Sequence, residues 1–360
     1  MPRRRSSDVP APDNMASPEP GPAAAGNHRH VTLHDVAARA GISAMTAWRA
    51  VNTPDKVPPR TLERVREAVA HIGYVPNLVA GGLRSKKTRM VAALVPTVTG
   101  PVFLETIESL TAELEARGFQ LMLGQSGYEK SREDALISAI VGRRPDGLVL
   151  TGILHSPQAR RMLQAARIPV VETWDLGDDP IDMLVGFSHE GVGAAVCGFL
   201  AERKMARGRK KLAVLGGSDE RSSRRMAAFQ AEATRRGLGD IPCASVPAPV
   251  QLGDARRAFA ELVQARPDIG GIFCSSDVAG LGVLIEARVQ DIDVPTQLGV
   301  VGFGDLSFAR DLDPALTTVR IDGTRIGKIA ADFMVDGPAG RGKADRVVDV
   351  GFTLVERGST

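Results

Sequence analysis

Two arginines of this 360-residue chain are placed where they could bind an anion. Arg221 and Arg225 follow the apolar run "KLAVLGG", at a point where a strand is expected to give way to a helix. The first backbone N–H groups of a helix favour negative charge. A guanidinium fork binds a carboxylate through two charge-assisted hydrogen bonds. The two residues therefore predict a carboxylate-binding site.

Acidic and aromatic residues that follow other apolar runs extend the predicted site. Asp277 comes directly after "GGIFCSS", where its carboxylate could accept hydrogen bonds from sugar hydroxyls. Glu172 and Trp174 close "IPVVETW", and an indole face suits the C–H surface of a sugar. A purely structural role is the alternative for four further candidates, Thr97, Thr99, Phe103 and Asp305. Together these residues predict a site for a sugar acid.

Short apolar runs separated by helical segments must position these side chains. This alternation begins after Thr88 and is typical of buried parallel strands in an α/β fold. Two doubly wound sheets of this kind would bind a ligand at the carboxyl ends of their strands. The eight predicted strands are "MVAALVP", "FQLMLGQ", "DGLVLTG", "IPVVET", "IDMLVGF", "KLAVLGG", "GGIFCSS" and "LGVVGF".

The segment before this repeat predicts three short helices. Thr32 is a candidate N-cap of the first, Gly41 would end it with a positive φ, and Ser43 would cap the second. A third helix is predicted from about Pro59 to His71, with Gly73 beyond its end. Two helices joined by a glycine turn and followed by a third are typical of a helix-turn-helix DNA-binding unit. An ordinary helical bundle is the alternative.

The charge of the chain is divided unevenly. Residues 1–90 hold 14 Lys and Arg against 7 Asp and Glu, whereas the rest of the chain is net acidic. A basic end suggests a polyanionic partner, although a solvated basic face needs none. Residues 1–29 are rich in Pro, Ala, Ser and Gly and are expected to be a disordered tail, within which Met15 is a possible true start. Without an apolar signal core or membrane span, the chain is expected in the cytoplasm.

Other chemistries are not favoured. Cys197, Cys243 and Cys274 lack metal-ligand spacing, and the histidines of "HRHVTLH" are expected to lie on the surface rather than to bind a metal. The sequence contains no G-x-S-x-G elbow, P-loop or G-x-G-x-x-G fingerprint, so an enzyme and a cofactor are not expected. Besides a DNA-binding protein and an enzyme, a periplasmic sugar-binding protein is the third class considered, and the basic end of the chain argues against it.

Several motifs carry a resemblance to a known family. They are "VTLHDVAARAGIS" followed by "RAVN", then "GYVPNLVAGGL", "GGIFCSSD" and "DPALTTV". From about Val31 onward the chain resembles transcription regulators of the LacI/GalR family. The segments "VFLETIESL", "GYEK", "IPVVE", "VGFSHE" and "DVGFTLVERGS" are most similar to the gluconate-operon repressors of that family.

The resemblance implies an all-α helix-turn-helix headpiece with a hinge helix, joined to an α/β core of two doubly wound parallel-sheet subdomains like those of periplasmic binding proteins. It also implies a homodimer or a tetramer on palindromic operator DNA. The expected divisions are a headpiece at 30–75, a hinge helix and linker at 76–89, and a core at 90–360. Within the core, the first subdomain is expected at about 90–190 and 318–344, and the second at about 191–317 and 345–360.

The resemblance also implies site residues. The recognition helix corresponds to Ser43–Asn52, and Ala44 and Met45 would read base edges by apolar contact or, alternatively, merely fill the helix surface. Arg49 would contact DNA or form an ion pair with Asp35. The expected DNA-contacting residues are Thr32, Ser43, Ala44, Met45, Thr46, Arg49, Asn52, Asn77, Ala80, Leu83 and Arg84. In the core, the family's ligand-binding arginine and acid correspond to Arg221 and Asp277.

Trp48 departs from the pattern of the family, and the predicted hinge helix is intrinsically weak. Trp48 stands where the family usually has a serine close to the phosphates, and packing on the headpiece core is the alternative to a phosphate contact at that position. Gly81 and Gly82 weaken the hinge segment, which is expected to fold only on DNA. Leu83 would then enter the minor groove as a wedge, unless it packs on the core. Gluconate is the expected effector, with a ketogluconate, a phosphorylated sugar acid or a neutral sugar as alternatives.

Overall fold

The computed structural model describes residues 31–75, 88–206, 211–338, 342 and 344–360. The chain divides into two compact units, a headpiece up to residue 84 and a core from residue 85. No helix of these described ranges is long and apolar enough to cross a membrane.

The headpiece has the three predicted helices, α1 (Leu33–Ala40), α2 (Ala44–Asn52) and α3 (Pro59–Ile72). Thr32 precedes α1 and donates from its backbone nitrogen to Asp35 at 2.8 Å, while Gly41 ends the helix with a φ of 62°. Ser43 caps α2 by accepting a hydrogen bond from the backbone nitrogen of Thr46. The buried residues that hold the three helices together are Val36, Ala37, Ala40, Ala47, Ala50, Val57, Val65 and Ala68.

The core contains two six-stranded sheets. The strands of the first sheet are β1 (Met90–Val95), β2 (Gln120–Gln125), β3 (Gly147–Thr151), β4 (Val170–Thr173), β5 (Met183–Gly186) and β11 (Val347–Asp349). Those of the second are β6 (Lys211–Gly217), β7 (Cys243–Val246), β8 (Ile269–Cys274), β9 (Gly299–Phe303), β10 (Thr317–Arg320) and β12 (Thr353–Val355). The first sheet has the order β11-β5-β4-β3-β1-β2, and its strands are all parallel. The second has the order β12-β10-β9-β8-β6-β7, in which β12 is antiparallel to β10 and the other neighbours are parallel.

Helices cover both sheets, as expected for doubly wound subdomains. They are α4 (Leu104–Ala116), α5 (Lys130–Val141), α6 (Pro157–Ala166), α7 (His189–Ala206), α8 (Glu220–Arg235), α9 (Leu252–Ala265), α10 (Asp277–Val289) and α11 (Gly323–Asp336). One apolar cluster extends through both subdomains and includes Val149 of the first sheet and Phe273 of the second. The two sheets therefore share part of their core.

The eight predicted strands are all present, and the described residues contain four further strands that were not predicted. Those four, β7, β10, β11 and β12, have only three or four residues each and carry polar side chains, so they lack the apolar run used to find the others. Two expected subdomain boundaries were wrong. Residues 347–349 pair with β5 of the first sheet rather than joining the second, and residues 318–320 belong to β10 of the second sheet rather than to the first.

Candidate ligand-binding cleft and nucleic-acid interface

A cavity of about 330 Å³ lies at the carboxyl ends of strands from both sheets of the core. The segment after β1 and the residue after β4, both of the first subdomain, form one side. The first turn of α7, the first two turns of α8, the segment after β8 and the end of β9, all of the second subdomain, form the other. Its principal polar and aromatic lining residues are Thr97, Thr99, Phe103, Tyr128, Trp174, His189, Asp219, Arg221, Ser222, Arg225, Ser275, Ser276 and Phe303.

Arg225 is the most constrained cation of this cleft, with only 5% of its surface exposed. Its Nη2 donates to the carbonyl oxygen of Ser275 at 2.9 Å, and its guanidinium lies 4.0 Å from the ring centre of Phe303. Burial lowers the pKa of Arg225 to about 10, which leaves it charged at neutral pH. Its Nε is buried and has no hydrogen-bond partner among the described residues. A buried charge with an unused donor suits an anionic ligand.

His189 connects Arg225 to the opposite side of the cleft. Its Nδ1 lies 3.0 Å from Nη1 of Arg225, and its Nε2 lies 3.1 Å from the carbonyl oxygen of Trp174. Since a guanidinium can only donate, Nδ1 must accept and Nε2 must carry the proton that is donated to Trp174. Burial, followed by the charge of Arg225, lowers the pKa of His189 well below its ordinary value. The imidazole is therefore neutral.

Arg221 is held more loosely than Arg225. Its Nη1 donates to the carbonyl oxygen of Thr151 at 3.4 Å, and its guanidinium lies 5.6 Å from the ring centre of Phe103. It borders both this cavity and an adjoining one of about 410 Å³. Arg221 therefore has room to reorient toward a ligand.

Aromatic side chains form the apolar wall of the cleft. Trp174 packs edge to face against Phe103 at 5.1 Å and against Phe187 at 5.8 Å between ring centres. Its indole N–H donates to the hydroxyl of Thr106 at 3.0 Å, and only 3% of the residue is exposed. Trp174 therefore borders the cavity with a small part of its surface.

Six of the nine predicted ligand residues line the cavity, and three do not. The six are Thr97, Thr99, Phe103, Trp174, Arg221 and Arg225. Asp277 is one of the exceptions, because it is fully buried and its carboxylate accepts from the hydroxyl of Thr318 at 2.5 Å and from the nitrogen of Leu306 at 2.7 Å. Burial raises the pKa of Asp277 to about 6. This acid ties the turn after β9 to β10 and does not face the cavity.

Glu172 and Asp305 also have structural partners instead of a place in the cavity lining. Glu172 is fully buried and accepts from the nitrogen of Ile181 at 2.6 Å. Its other oxygen lies 3.4 Å from Nε2 of His155. Asp305 forms ion pairs with Arg357 at 2.6 Å and with Arg320 at 3.6 Å. All three acids follow or end apolar strands, but each turns into the protein and away from the cavity.

Several lining residues were not predicted from the sequence, among them His189, which connects Arg225 to Trp174. A signal was available, because His189 follows the apolar run "IDMLVGF" just as Asp277 follows "GGIFCSS". Ser275 and Ser276 directly precede Asp277, and they line the cavity whereas Asp277 does not.

The headpiece presents the predicted recognition helix to solvent. Met45 is 58% exposed, Arg49 is exposed and Trp48 is half-buried. Asn52 is exposed, and its side-chain nitrogen donates to the carbonyl oxygen of Trp48 at 2.9 Å. The partly buried Ala44 begins the helix. The other predicted DNA contacts, Asn77, Ala80, Leu83 and Arg84, lie outside the described residues.

Two family descriptions match the two units. Residues 32–77 match "Bacterial regulatory proteins, lacI family", and residues 201–360 match "Periplasmic binding protein-like domain". The first match covers the three helices of the headpiece. The second covers most of the second subdomain and returns through the end of the first.

Known proteins resemble the chain over nearly its whole length. The "HTH-type transcriptional regulator GntR" of Pseudomonas aeruginosa is 35% identical, and the alignment covers 91% of this chain and 95% of that relative. A crystal structure of a LacI-family transcriptional regulator from Silicibacter pomeroyi is 27% identical, with a TM-score of 0.84 over 91% of this chain and 99% of that one. A structure described as transcription regulator GntR from Chromobacterium violaceum is 33% identical, with a TM-score of 0.69 over 75% and 98%.

Proposed function

The chain belongs to the LacI family of bacterial transcription regulators, and we propose that it is a repressor of sugar-acid catabolic genes that a gluconate-type effector releases from its operator. Such regulators bind DNA and are not enzymes. The sequence resemblance to gluconate-operon repressors supports the choice of effector. Binding to chromosomal DNA also supports a cytoplasmic location.

The unused Nε–H of Arg225 carries the proposal of an acidic effector. A carboxylate placed against it would offset a buried charge and satisfy the only buried guanidinium nitrogen of Arg225 that has no partner. Arg221 would supply a second cation from the adjoining wall, and the hydroxyls of Thr97, Thr99 and Ser276 would bind the sugar hydroxyls. The cavity of about 330 Å³ is at the small end of the range of ligand pockets and suits one small molecule.

The headpiece would read the operator through α2. Met45 and Ala44 offer apolar surface for a thymine methyl group, and Arg49 offers a charge for a phosphate or a guanine. A two-fold dimer would place two such helices on the half-sites of a palindrome. Leu83 as a minor-groove wedge, with Arg84, Lys86 and Lys87 at the flanking phosphates, is part of the proposal.

Release would follow from linkage between the two sites. An effector that binds one arrangement of the core more tightly shifts the population toward it, and DNA affinity falls by the corresponding factor. The effector and the operator therefore never need to touch.

Fluorescence anisotropy tests the proposal on labelled DNA from upstream of the chain's own gene. D-gluconate should release the protein from this DNA, whereas D-glucose, which lacks the carboxylate, should leave it bound at the same concentration. A response to glucose or to 6-phosphogluconate in place of gluconate would contradict the proposed effector. Binding that is equally strong on scrambled DNA would contradict the operator.

A further inference from the structure

Trp174 has a backbone conformation that bulky residues rarely adopt. Its φ is +63°, in the left-handed region. For an L-residue with a large side chain this conformation costs about 1–2 kcal/mol, and it persists only where the surroundings enforce it. Trp174 lies at the end of β4 and borders the cavity. A strained residue at a ligand site is a candidate for a moving part.

The first subdomain holds this residue and its neighbour Asp175 from one side. The indole of Trp174 donates to Thr106, and the backbone of Asp175 runs against Gly186. A Cβ atom at position 186 would lie 2.0 Å from the carbonyl oxygen of Asp175. The segment therefore has little space on this side.

The second subdomain holds the same two residues from the other side. His189 of α7 donates to the carbonyl oxygen of Trp174. Arg224 of α8 donates from Nη1 to both carboxylate oxygens of Asp175 at 2.8 Å. Its Nε donates to Glu190 at 2.7 Å. Asp175 is only 1% exposed, so its carboxylate is shielded from water, whereas the Arg224 side chain is 22% exposed. The ion pair crosses between the subdomains.

These contacts are also connected to the ligand site. Arg224 and Arg225 are consecutive in α8, and Arg225 holds the imidazole of His189 that in turn holds Trp174. A carboxylate bound at Nε of Arg225 would fix the guanidinium, and through it the orientation of His189. The effector would thus stabilise the strained form of Trp174 without touching its backbone.

We infer that Trp174 and Asp175 form a two-state switch segment, which Arg224 and His189 hold in the strained form, and that this form is the one favoured by the effector. The inference that the effector favours this form rests on the proposed function, whereas the switch segment itself does not. Arg224 is a positioning residue, because it lies outside the cavity lining. Weakening its pair with Asp175 should therefore loosen Trp174 and favour the DNA-binding arrangement.

Trp174 itself is the probe, since Trp48 is the only other tryptophan. In full-length Trp48→Phe protein, acrylamide quenching of Trp174 should be weak and should rise at least twofold on Arg224→Gln. The matched control is Arg256→Gln, which removes a 3.0 Å ion pair with Glu286 within the second subdomain and should leave quenching unchanged. Asp175→Asn should act like Arg224→Gln, and the double variant should add little.

Each outcome decides one part of the inference. Unchanged quenching in Arg224→Gln and Asp175→Asn, with normal circular dichroism, would overturn the switch segment. Should Arg224→Gln fail to fold, Arg224→Lys keeps the charge but cannot bind Asp175 and Glu190 at the same time as the guanidinium does, and it should show an intermediate rise. D-gluconate should reduce the quenching of Trp174 in the Trp48→Phe protein that keeps Arg224. The reduction should be smaller in the same protein with Arg224→Gln. If quenching follows the variants while gluconate has no effect on either protein or on DNA binding, the proposed effector fails and the switch segment stands.

Discussion

At the scale of single residues, two neighbouring arginines of the cleft differ in what they can offer a ligand. Arg225 is buried and its terminal nitrogens are committed to His189 and Ser275, so its remaining Nε–H has a fixed direction. Arg221 has one long hydrogen bond and a half-buried side chain. In the proposed site Arg225 is therefore the fixed anchor, whereas the resemblance implied Arg221.

Arg225→Gln should weaken D-gluconate binding more than Arg221→Gln does. A hydrogen bond to a charged group contributes about 1.5–3 kcal/mol, so the loss at Arg225 should be at least about tenfold in Kd. The loss at the adaptable Arg221 should be smaller. Titration calorimetry of both variants measures this order, with the exposed Arg310→Gln as the control. A larger loss at Arg221 would restore the assignment made from the resemblance.

Met45→Ala should weaken binding to the operator and leave binding to random DNA unchanged. Met45 is apolar and 58% exposed on α2, so it can contribute contacts to a base but no charge to a phosphate. We expect a loss of about 1–3 kcal/mol in operator affinity with the same salt dependence. Anisotropy titrations at three salt concentrations test this. An equal loss on both DNAs would indicate a general effect on the headpiece.

At the scale of elements, the contact between α7 and α8 depends on a missing side chain. A Cβ atom at Gly193 of α7 would lie 2.2 Å from the carbonyl oxygen of Arg225 and 2.9 Å from the nitrogen of Phe229. Backbone atoms cannot move aside as a flexible side chain can. Gly193 therefore lets α8 lie close enough to bring Arg225 to His189.

Gly193→Ala should destabilise the core by about 3 kcal/mol, at the upper end of overpacking effects, and should weaken effector binding. Gly198→Ala is the matched control on the same helix, because its Cβ would meet only the flexible end of Arg236 at 2.8 Å. That variant should be neutral, or stabilising by up to about 1 kcal/mol through helix propensity. Denaturant unfolding of both variants measures the two changes in the free energy of unfolding. Equal effects would mean that α7 and α8 separate easily.

A buried histidine joins three elements of the first subdomain. His155 precedes α6, and its Nδ1 lies 3.0 Å from Glu133 of α5, while its Nε2 lies 3.4 Å from Glu172 of β4. Burial lowers the pKa of His155, but the hydrogen bonds and charges of the two carboxylates outweigh it and raise the pKa to about 9. The imidazole is therefore charged in the folded protein at neutral pH.

The stabilisation that His155 provides should be lost at alkaline pH. Its folded pKa of about 9 lies above the ordinary value of 6.5, so the contribution is complete below pH 6.5 and disappears as pH rises through 9. The shift corresponds to on the order of 3 kcal/mol. The difference in free energy of unfolding between the wild type and His155→Gln should shrink by that order from pH 6 to pH 9.5. A difference independent of pH would show that the histidine is neutral.

At the scale of the whole molecule, the proposed DNA binding uses both the basic headpiece and the segment that follows it. Leu83→Ala should weaken operator binding and reduce DNA bending, because an apolar wedge that unstacks a base step would be lost. Thermal stability of the core and gluconate affinity should change little. Bending is measured by circular permutation of the site on DNA fragments. Loss of core stability with normal bending would place Leu83 in the core.

Sequence alone determined the elements whose signals are local. The caps at Thr32 and Ser43, the turn at Gly41 and the eight apolar strands were all predicted, because capping, positive φ and continuous burial depend on a few adjacent residues. The family resemblance identified the fold and the regulator class from motifs of the same local kind.

Tertiary structure decided which polar side chains face the cavity. Asp277, Glu172, Arg225 and His189 all stand at or near the end of a strand or the start of a helix, and position along the chain does not distinguish them. The two acids found partners in Thr318 and in Ile181, which are 41 and 9 residues away, and so became structural. Arg225 was left with one unused donor. A buried polar group takes whichever partner the fold brings nearest, and that partner is set by contacts between distant segments.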